Sequence, residues 1–119
     1  MKTILVIGGS TGIGQQLVQN LSLNHEVIST YCYTSIESSD NIRYQHFDVM
    51  QSDLNSLSLP MKIDGLVYCV GAIQLKPFHR ISGDDFLNDY QKQVVGAIKI
   101  IQHCLPKLKL SDNPRYRIS

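Results

Sequence analysis

The sequence predicts an α/β fold, a parallel β-sheet with helices on both of its faces. Short apolar segments recur along the chain and alternate with segments of helical periodicity or turn composition, which is the order of a parallel sheet with crossover connections. The first of these segments, residues 4–7, is an uninterrupted aliphatic run, typical of a strand buried on both faces. A glycine-rich turn and a helical pattern follow it directly.

The turn after the first strand contains Gly8, Gly12 and Gly14 in the spacing G-x-x-x-G-x-G. In a strand–turn–helix unit, one such glycine can adopt a positive φ, one lets the backbone approach a ligand, and one lets the helix pack closely on the strand. The helical pattern begins at Ile13, and its apolar positions are Leu17, Val18 and Leu21. The unpaired amides and positive dipole end of a helix start favour a phosphate group, although glycines also occur in ordinary strand-to-helix turns.

The complete turn, Gly-Gly-Ser-Thr-Gly-Ile-Gly at residues 8–14, resembles the cofactor loop of the short-chain dehydrogenase/reductase family. The resemblance implies a partial doubly wound, Rossmann-like sheet of strand order 3-2-1-4, an NAD(P) cofactor, and hydride transfer to or from a carbonyl or alcohol. It also implies that Ser10, Thr11 and Ile13 lie beside the cofactor with the glycines. A flavodoxin-like phosphate binder would have a similar sheet but would not explain the spacing of the three glycines.

The composition suits one soluble domain. The chain has 119 residues, 43% of them hydrophobic and 18% charged, and a net charge of +1 without a basic run. These values argue against disorder, nucleic-acid binding and attachment to an anionic membrane. The apolar segments are too short for a membrane span or a signal peptide, so we expect a cytoplasmic protein. Three distant cysteines and four scattered histidines do not form a metal-binding pattern, so no metal site is expected.

Residues 26–31 form the second predicted strand. In a dinucleotide fold, an acidic residue at the end of this strand binds the adenine ribose of NAD. The segment here is Tyr-Cys-Tyr-Thr-Ser at residues 31–35, with no acid and no arginine. Tyr31 would therefore lie at the ribose, and Thr34 or Ser35 could donate to a 2′-phosphate, which favours NADP over NAD.

The third predicted strand, residues 42–49, alternates apolar and polar residues. It ends in Asp48 and Val49, which resemble the family pair whose carboxylate meets the adenine amino group. A loop or helix-starting aspartate is an equally good interpretation of the sequence alone. Residues 51–57 can form one short helix.

The fourth predicted strand lies within residues 63–72 and ends in a glycine turn. Where the family has Asn-Ala-Gly, this chain has Cys69, Val70 and Gly71. The close backbone approach to the cofactor survives this change, whereas the role of the asparagine side chain does not.

A long amphipathic helix is predicted over residues 84–110, with Ser82 as its N-cap. Its apolar stripe is broad enough to cover the sheet and also to contact a partner, and the family resemblance implies a subunit contact on this helix. Coverage of its own sheet is an equally good interpretation. The family's catalytic Asn-x-x-Gly falls on residues 93–96, where Gln93 replaces the asparagine. We therefore assign no catalytic residue, since the proton-relay role does not transfer to Gln93.

The family's acid–base pair, a Tyr-x-x-x-Lys, does not occur in this sequence. Residues 115–119 are also more charged than a central parallel strand would be. We expect a truncated chain, for which a frameshift is our hypothesis, and a single, incomplete NAD(P)-binding domain over residues 1–119. Without a fifth strand, the edge of the fourth strand at residues 66–70 would be exposed. Self-association is therefore expected through that edge or through the 84–110 helix.

Two functions of different classes follow from these features. The first is the cofactor-binding portion of an NAD(P)-dependent oxidoreductase that is not competent alone. The second is a non-catalytic module that binds nucleotide or associates with itself. The expected cofactor-binding residues are Gly8, Ser10, Thr11, Gly12, Ile13, Gly14, Tyr31, Thr34, Asp48, Val49, Cys69, Val70 and Gly71.

Overall fold

The fold is described from a computed structural model. It describes residues 2–9, 12–32, 36–50, 53–69, 83–84, 87, 94–110 and 115–118, the last of these for the backbone alone.

The described residues form one parallel sheet of five strands in the order β3-β2-β1-β4-β5. The strands are β1 (Thr3–Ile7), β2 (Glu26–Tyr31), β3 (Ile42–His46), β4 (Gly65–Tyr68) and β5 (Arg115–Ile118). The helices are α1 (Gly12–Leu21), a 3₁₀ turn (Leu54–Ser56) and α2 (Gly96–Leu108). The predicted order 3-2-1-4 is confirmed, and β5 extends it.

Strand β1 is the centre of the sheet. Its Val6 lies in register with Ser29 of β2 and with Val67 of β4, so β1 is paired on both sides. Leu5, Val6 and Ile7 are completely buried, as expected for an aliphatic strand covered on both faces. The register brings the carboxyl ends of β1, β2 and β4 to one edge of the sheet, where the glycine turn begins.

Successive side chains of β1 point to opposite faces and supply two separate cores. Leu5 and Ile7 belong to a cluster with residues of α2, including Ile100, which is the α2-side core. Val6 belongs to a second cluster with Val18 of α1 and Val27 of β2, which is the α1-side core. The helices therefore cover both faces of the sheet, as predicted.

The expectation that a fifth strand is missing was wrong. Residues 115–118 form a strand that pairs in parallel with β4, with Leu66 opposite Tyr116. Backbone hydrogen bonds, not apolar side chains, define a strand, and a strand at the outer position of a sheet tolerates charged residues. Strand β4 is thus paired on both sides, and at residues 66–68 its edge is not exposed for self-association.

The predicted boundaries differ from the structure mainly at strand ends. Strand β3 ends at His46, before Asp48. The short helix predicted at 51–57 is reduced to the 3₁₀ turn. Asp53 caps this turn, because its side chain accepts a hydrogen bond from the amide of Asn55. Of the predicted 84–110 helix, the structure describes Asp84 and Leu87 as helical, a π-helical turn at 94–95, and then α2. Residues 109–110 form a turn, so the helix ends at Leu108. The other positions of that prediction, 85–86 and 88–93, and its Ser82 cap lie outside the described residues.

Replacing Ile100 with alanine should destabilise the protein by about 2–5 kcal/mol, because the side chain is 1% exposed and its loss leaves a cavity between α2 and the sheet. Urea unfolding measures this change. Lys99→Ala, on the exposed side of the same helix, is the control and should shift the unfolding free energy by less than about 0.5 kcal/mol. Equal effects of the two substitutions would contradict the assignment of this face to the core.

Candidate functional site

The glycine turn lies at the carboxyl edge of the sheet, between β1 and α1. Two of its glycines have positive φ angles, 86° at Gly8 and 58° at Gly12. A residue with a Cβ is disfavoured in this left-handed region, so the turn specifically requires glycine at these two positions. A Cβ added to Gly12 would meet nothing within 4 Å, so the backbone there is open to a ligand.

Gly14 has the packing role that the sequence predicts for one of the three glycines. It is buried in the first turn of α1, where a Cβ would overlap the carbonyl oxygen of Gly8. A backbone atom cannot move aside as the end of a flexible side chain can. The absence of a side chain at Gly14 therefore allows α1 to begin directly against the end of β1.

Gly9 is a further required glycine that the sequence analysis missed. A Cβ at this position would overlap Ser29 Oγ and lie 2.6 Å from Val18 Cγ2. The available signal was the Gly-Gly pair combined with Ser29 and Thr30, two hydroxyl residues in an otherwise apolar strand. Both hydroxyl residues are buried, and both contact the segment that runs from β1 into the turn.

Three hydrogen bonds hold the start of the turn to the two neighbouring strands. The Gly8 amide donates to Thr30 Oγ1 at 2.9 Å, and the Gly9 amide donates to the Thr30 carbonyl at 3.2 Å. The Tyr44 hydroxyl of β3 donates to the Gly9 carbonyl at 3.1 Å. Each of these groups is thus satisfied within the protein, and the Gly8–Gly9 segment has a defined shape before any ligand arrives.

The end of β2 presents Tyr31, the residue expected at the adenine ribose. Tyr31 is half-buried and packs edge-to-face against His46 of β3, with 5.6 Å between ring centroids and 70° between ring planes. His46 is exposed. The structure therefore places two aromatic rings where the sequence analysis identified one.

Asp48 and Val49 follow β3 at the same edge of the sheet. One carboxylate oxygen of Asp48 accepts the Met50 amide at 2.8 Å, which fixes the turn after the strand. Val49 is half-buried against the α2-side core. Asp48 thus has a structural role as a loop aspartate, and the expected adenine contact stays a prediction.

Cys69 lies where β4 leaves the sheet, next to the end of β1. Its amide donates to the Ile7 carbonyl at 2.8 Å, and its side chain packs against the α1-side core. Burial raises the pKa of the Cys69 thiol above its ordinary value, so the thiol is protonated at neutral pH and is not an activated nucleophile.

The remaining predicted positions divide into two groups. Ile13 is 79% exposed on the first turn of α1, beside Gly12, so its side chain does not contribute to the core. Seven predicted positions lie outside the described residues: Ser10, Thr11, Thr34, Ser35, Val70, Gly71 and Gln93.

Two negative findings apply to the described part of the chain. No group of three or more His, Cys, Asp or Glu side chains there is arranged to hold a metal ion. None of the helices described is both long and apolar enough to cross a membrane.

The parallel sheet order and the glycine turn define a Rossmann-like protein. A family model described as short chain dehydrogenase matches residues 2–116, and the chain belongs to this family. No protein with a curated description matches the sequence significantly.

Solved structures of the same family share the fold. Serine dehydrogenase from Escherichia coli is 22% identical, with a TM-score of 0.79. The alignment covers 98% of this chain and 60% of the serine dehydrogenase chain. A short-chain dehydrogenase from Streptomyces avermitilis is 19% identical over 99% of this chain and 49% of its own, with a TM-score of 0.80. A short-chain dehydrogenase/reductase from Burkholderia multivorans, solved with bound NADP, is 18% identical over 87% and 52%, with a TM-score of 0.74. The chain therefore spans about half to three fifths of the length of these relatives.

Replacing Gly14 with alanine should destabilise the protein by about 1–3 kcal/mol, because the added methyl group overlaps the Gly8 backbone. Thermal or urea unfolding measures the change. Gly83→Ala is the matched control, since Gly83 is helical and a Cβ there meets nothing within 4 Å. That control should raise stability by about 0.4–1 kcal/mol. A neutral Gly14→Ala would contradict the packing role of this glycine.

Proposed function

We propose that this chain is the cofactor-binding portion of an NAD(P)-dependent short-chain dehydrogenase/reductase. The observation that supports this most directly is the geometry of the glycine turn. Gly8 and Gly12 have positive φ angles, and Gly14 lets α1 begin directly against Gly8 at the carboxyl edge of a parallel sheet. This is the arrangement in which a helix start can accept the diphosphate of a dinucleotide. Among the relatives, the Burkholderia multivorans protein holds NADP.

The phosphate groups would be bound by backbone amides and not by charged side chains. The turn and the amino-terminal end of α1, with Ser10, Thr11 and Ile13, would surround the diphosphate. Unpaired amides at a helix start and its positive dipole end both stabilise a negative charge. The exposed Gly12 backbone permits a close approach.

The adenosine end would lie over β2 and β3. Tyr31 and Thr34 would contact the ribose, and Asp48 and Val49 the adenine ring. Residues 31–35, at the end of β2, contain no carboxylate that would repel a 2′-phosphate, and the ring of Tyr31 packs there against the ring of His46. We therefore propose NADP as the preferred cofactor and NAD as the weaker one.

The nicotinamide end would lie near Cys69, Val70 and Gly71. The bound nicotinamide supplies the hydride chemistry, which transfers a hydride to or from a carbonyl or alcohol carbon. The backbone bond between the Cys69 amide and the Ile7 carbonyl keeps the ends of β4 and β1 together at that point. The Cys69 thiol would pack without exchanging a proton, because its pKa is raised by burial.

Hydride transfer also needs an acid or base, and residues 1–119 contain no Tyr-x-x-x-Lys. We therefore propose that the chain is an incomplete domain that binds the cofactor and is not catalytically competent alone. The same sequence feature favours a second candidate function, a non-catalytic module that binds nucleotide or associates with itself. An odd number of cysteines and a nicotinamide cofactor both suit the cytoplasm as its location.

We also propose that the protein forms a homo-oligomer through the 84–110 helix. Val94, Ile98 and Leu105 form a second apolar stripe on the described part of this helix, and Ile101, which also packs against the core, lies between this stripe and the sheet. Val94 is 39% exposed and Ile98 is 47% exposed. Burial of such a stripe against a second copy would remove apolar surface from water.

Titration of the purified chain with NADP should give saturable heat of binding and a raised melting temperature, with a weaker response to NAD. A ligand that binds only the folded state adds about 2.7 kcal/mol of stability at a hundred times its dissociation constant. Calorimetry and thermal unfolding measure both effects. Gly14→Ala should abolish the response at equal NADP concentration, and Gly83→Ala should retain it.

If neither NADP nor NAD gave heat of binding or a raised melting temperature with the unmodified protein, the proposed function would be contradicted. Binding of NADPH followed by its oxidation with a carbonyl substrate would instead contradict the lack of catalytic competence, and would exclude the non-catalytic module.

Light scattering should give twice the 13.4 kDa mass of one chain, and Ile98→Lys should return the protein to the monomer mass. A lysine in the stripe cannot be buried against a second apolar stripe without a large desolvation cost. Gln19→Lys is the control, since it introduces the same charge on an exposed position of α1, on the other face of the sheet. A monomeric unmodified protein at working concentration would rule out this association.

A further inference from the structure

Tyr44 has a polar contact that sheet formation alone does not require. Its hydroxyl group donates to the Gly9 carbonyl oxygen at 3.1 Å, across an interval of 35 residues. Tyr44 is in register with Ser29 of β2, which is in register with Val6 of β1. The tyrosine side chain therefore reaches over β2 to the turn that follows β1.

The Tyr44 contact completes the set of bonds that hold the start of the glycine turn. Thr30 accepts both amides of the Gly8–Gly9 segment, and Tyr44 supplies the donor for the carbonyl of Gly9. The Gly9 Cα is also packed tightly against Ser29 and Val18. Removal of the Tyr44 hydroxyl would take this donor away from the Gly9 carbonyl oxygen. The hydrogen bond would then no longer restrict rotation of the Gly9 peptide group.

Two further contacts fix Tyr44 itself. Its backbone amide donates to Ser38 Oγ at 2.9 Å, and its ring packs against the α1-side core. Burial raises the pKa of the Tyr44 hydroxyl, so the group keeps its proton, and its ability to donate, well beyond neutral pH.

We propose that Tyr44 is a positioning residue for the phosphate-binding turn: by holding the Gly9 carbonyl, it keeps the turn in the shape that accepts a diphosphate. The inference rests on the proposed nucleotide-binding function. Tyr44 would contact no part of the ligand and would act only through Gly9. If the turn already has its binding shape, the ligand does not have to order it, and binding avoids that entropy cost.

Tyr44→Phe separates this role from packing, because phenylalanine keeps the ring in the core and removes only the hydroxyl group. The probes are ADP and adenosine, titrated separately and followed by the amide NMR shifts of the protein. In the variant, the dissociation constant of ADP should rise by about three- to tenfold, the effect of one lost hydrogen bond. The dissociation constant of adenosine should stay unchanged, because adenosine has no diphosphate to meet the turn.

The matched control is Gln45→Met. Gln45 is the next residue of β3, and its side chain points away from the turn, where its amide exchanges hydrogen bonds with Ser58 at 2.9 and 3.1 Å. This variant loses side-chain hydrogen bonds of the same strand, so its stability should fall. Its affinity for ADP and for adenosine should not change.

Each outcome is distinct. Equal weakening of ADP and adenosine by Tyr44→Phe would mean that Tyr44 only stabilises the fold and would overturn the inference. Unchanged ADP binding in Tyr44→Phe would overturn it as well, while leaving the proposed function intact. Failure of the unmodified protein to bind ADP would overturn both the inference and the proposed function.

Discussion

The contact between the first turn of α1 and the end of β1 determines the geometry of the candidate site. Gly14 lies so close to the Gly8 carbonyl that no side chain fits between them. This contact sets where α1 begins, and the helix start sets where its unpaired amides are presented. The register of β1 with β2 then brings Thr30 within hydrogen-bond distance of the Gly8 amide.

Features with a local signal could be predicted from the sequence. An aliphatic run identifies residues 4–7, and the bounds of β2 agree with the predicted 26–31 because a break precedes the strand and polar residues follow it. The glycine spacing also predicts a packing role that Gly14 fulfils. The side chains that support the turn by hydrogen bonds, Thr30 and Tyr44, could not be predicted in this way. The contact of Thr30 spans 22 residues and that of Tyr44 spans 35, so both depend on strand register, which no single segment encodes.

The fifth strand shows a different limit of sequence patterns. Apolar content predicts whether both faces of a strand are covered, and it says little about whether the backbone pairs. Residues 115–118 contain two arginines and still pair with β4. These residues form the outer strand of the described sheet, next to β4. An outer strand is paired on one side only, so it tolerates charged residues that a central strand such as β1 would not. Charge in a short segment therefore argues against a central position and not against a strand.

The supports of the glycine turn are uncharged, and this matters for an anionic ligand. Thr30 accepts from the amides of Gly8 and Gly9, and Tyr44 donates to the Gly9 carbonyl, so neither support places a carboxylate beside the turn. A nearby negative charge would oppose a diphosphate by several kcal/mol in a partly buried site, roughly the scale of Coulomb energies at short range. Hydroxyl groups avoid this cost and still fix the backbone. The first turn of α1 contains no acidic residue, and the backbone at Gly12 is open, so the positive end of the helix is suited to stabilise an anion there.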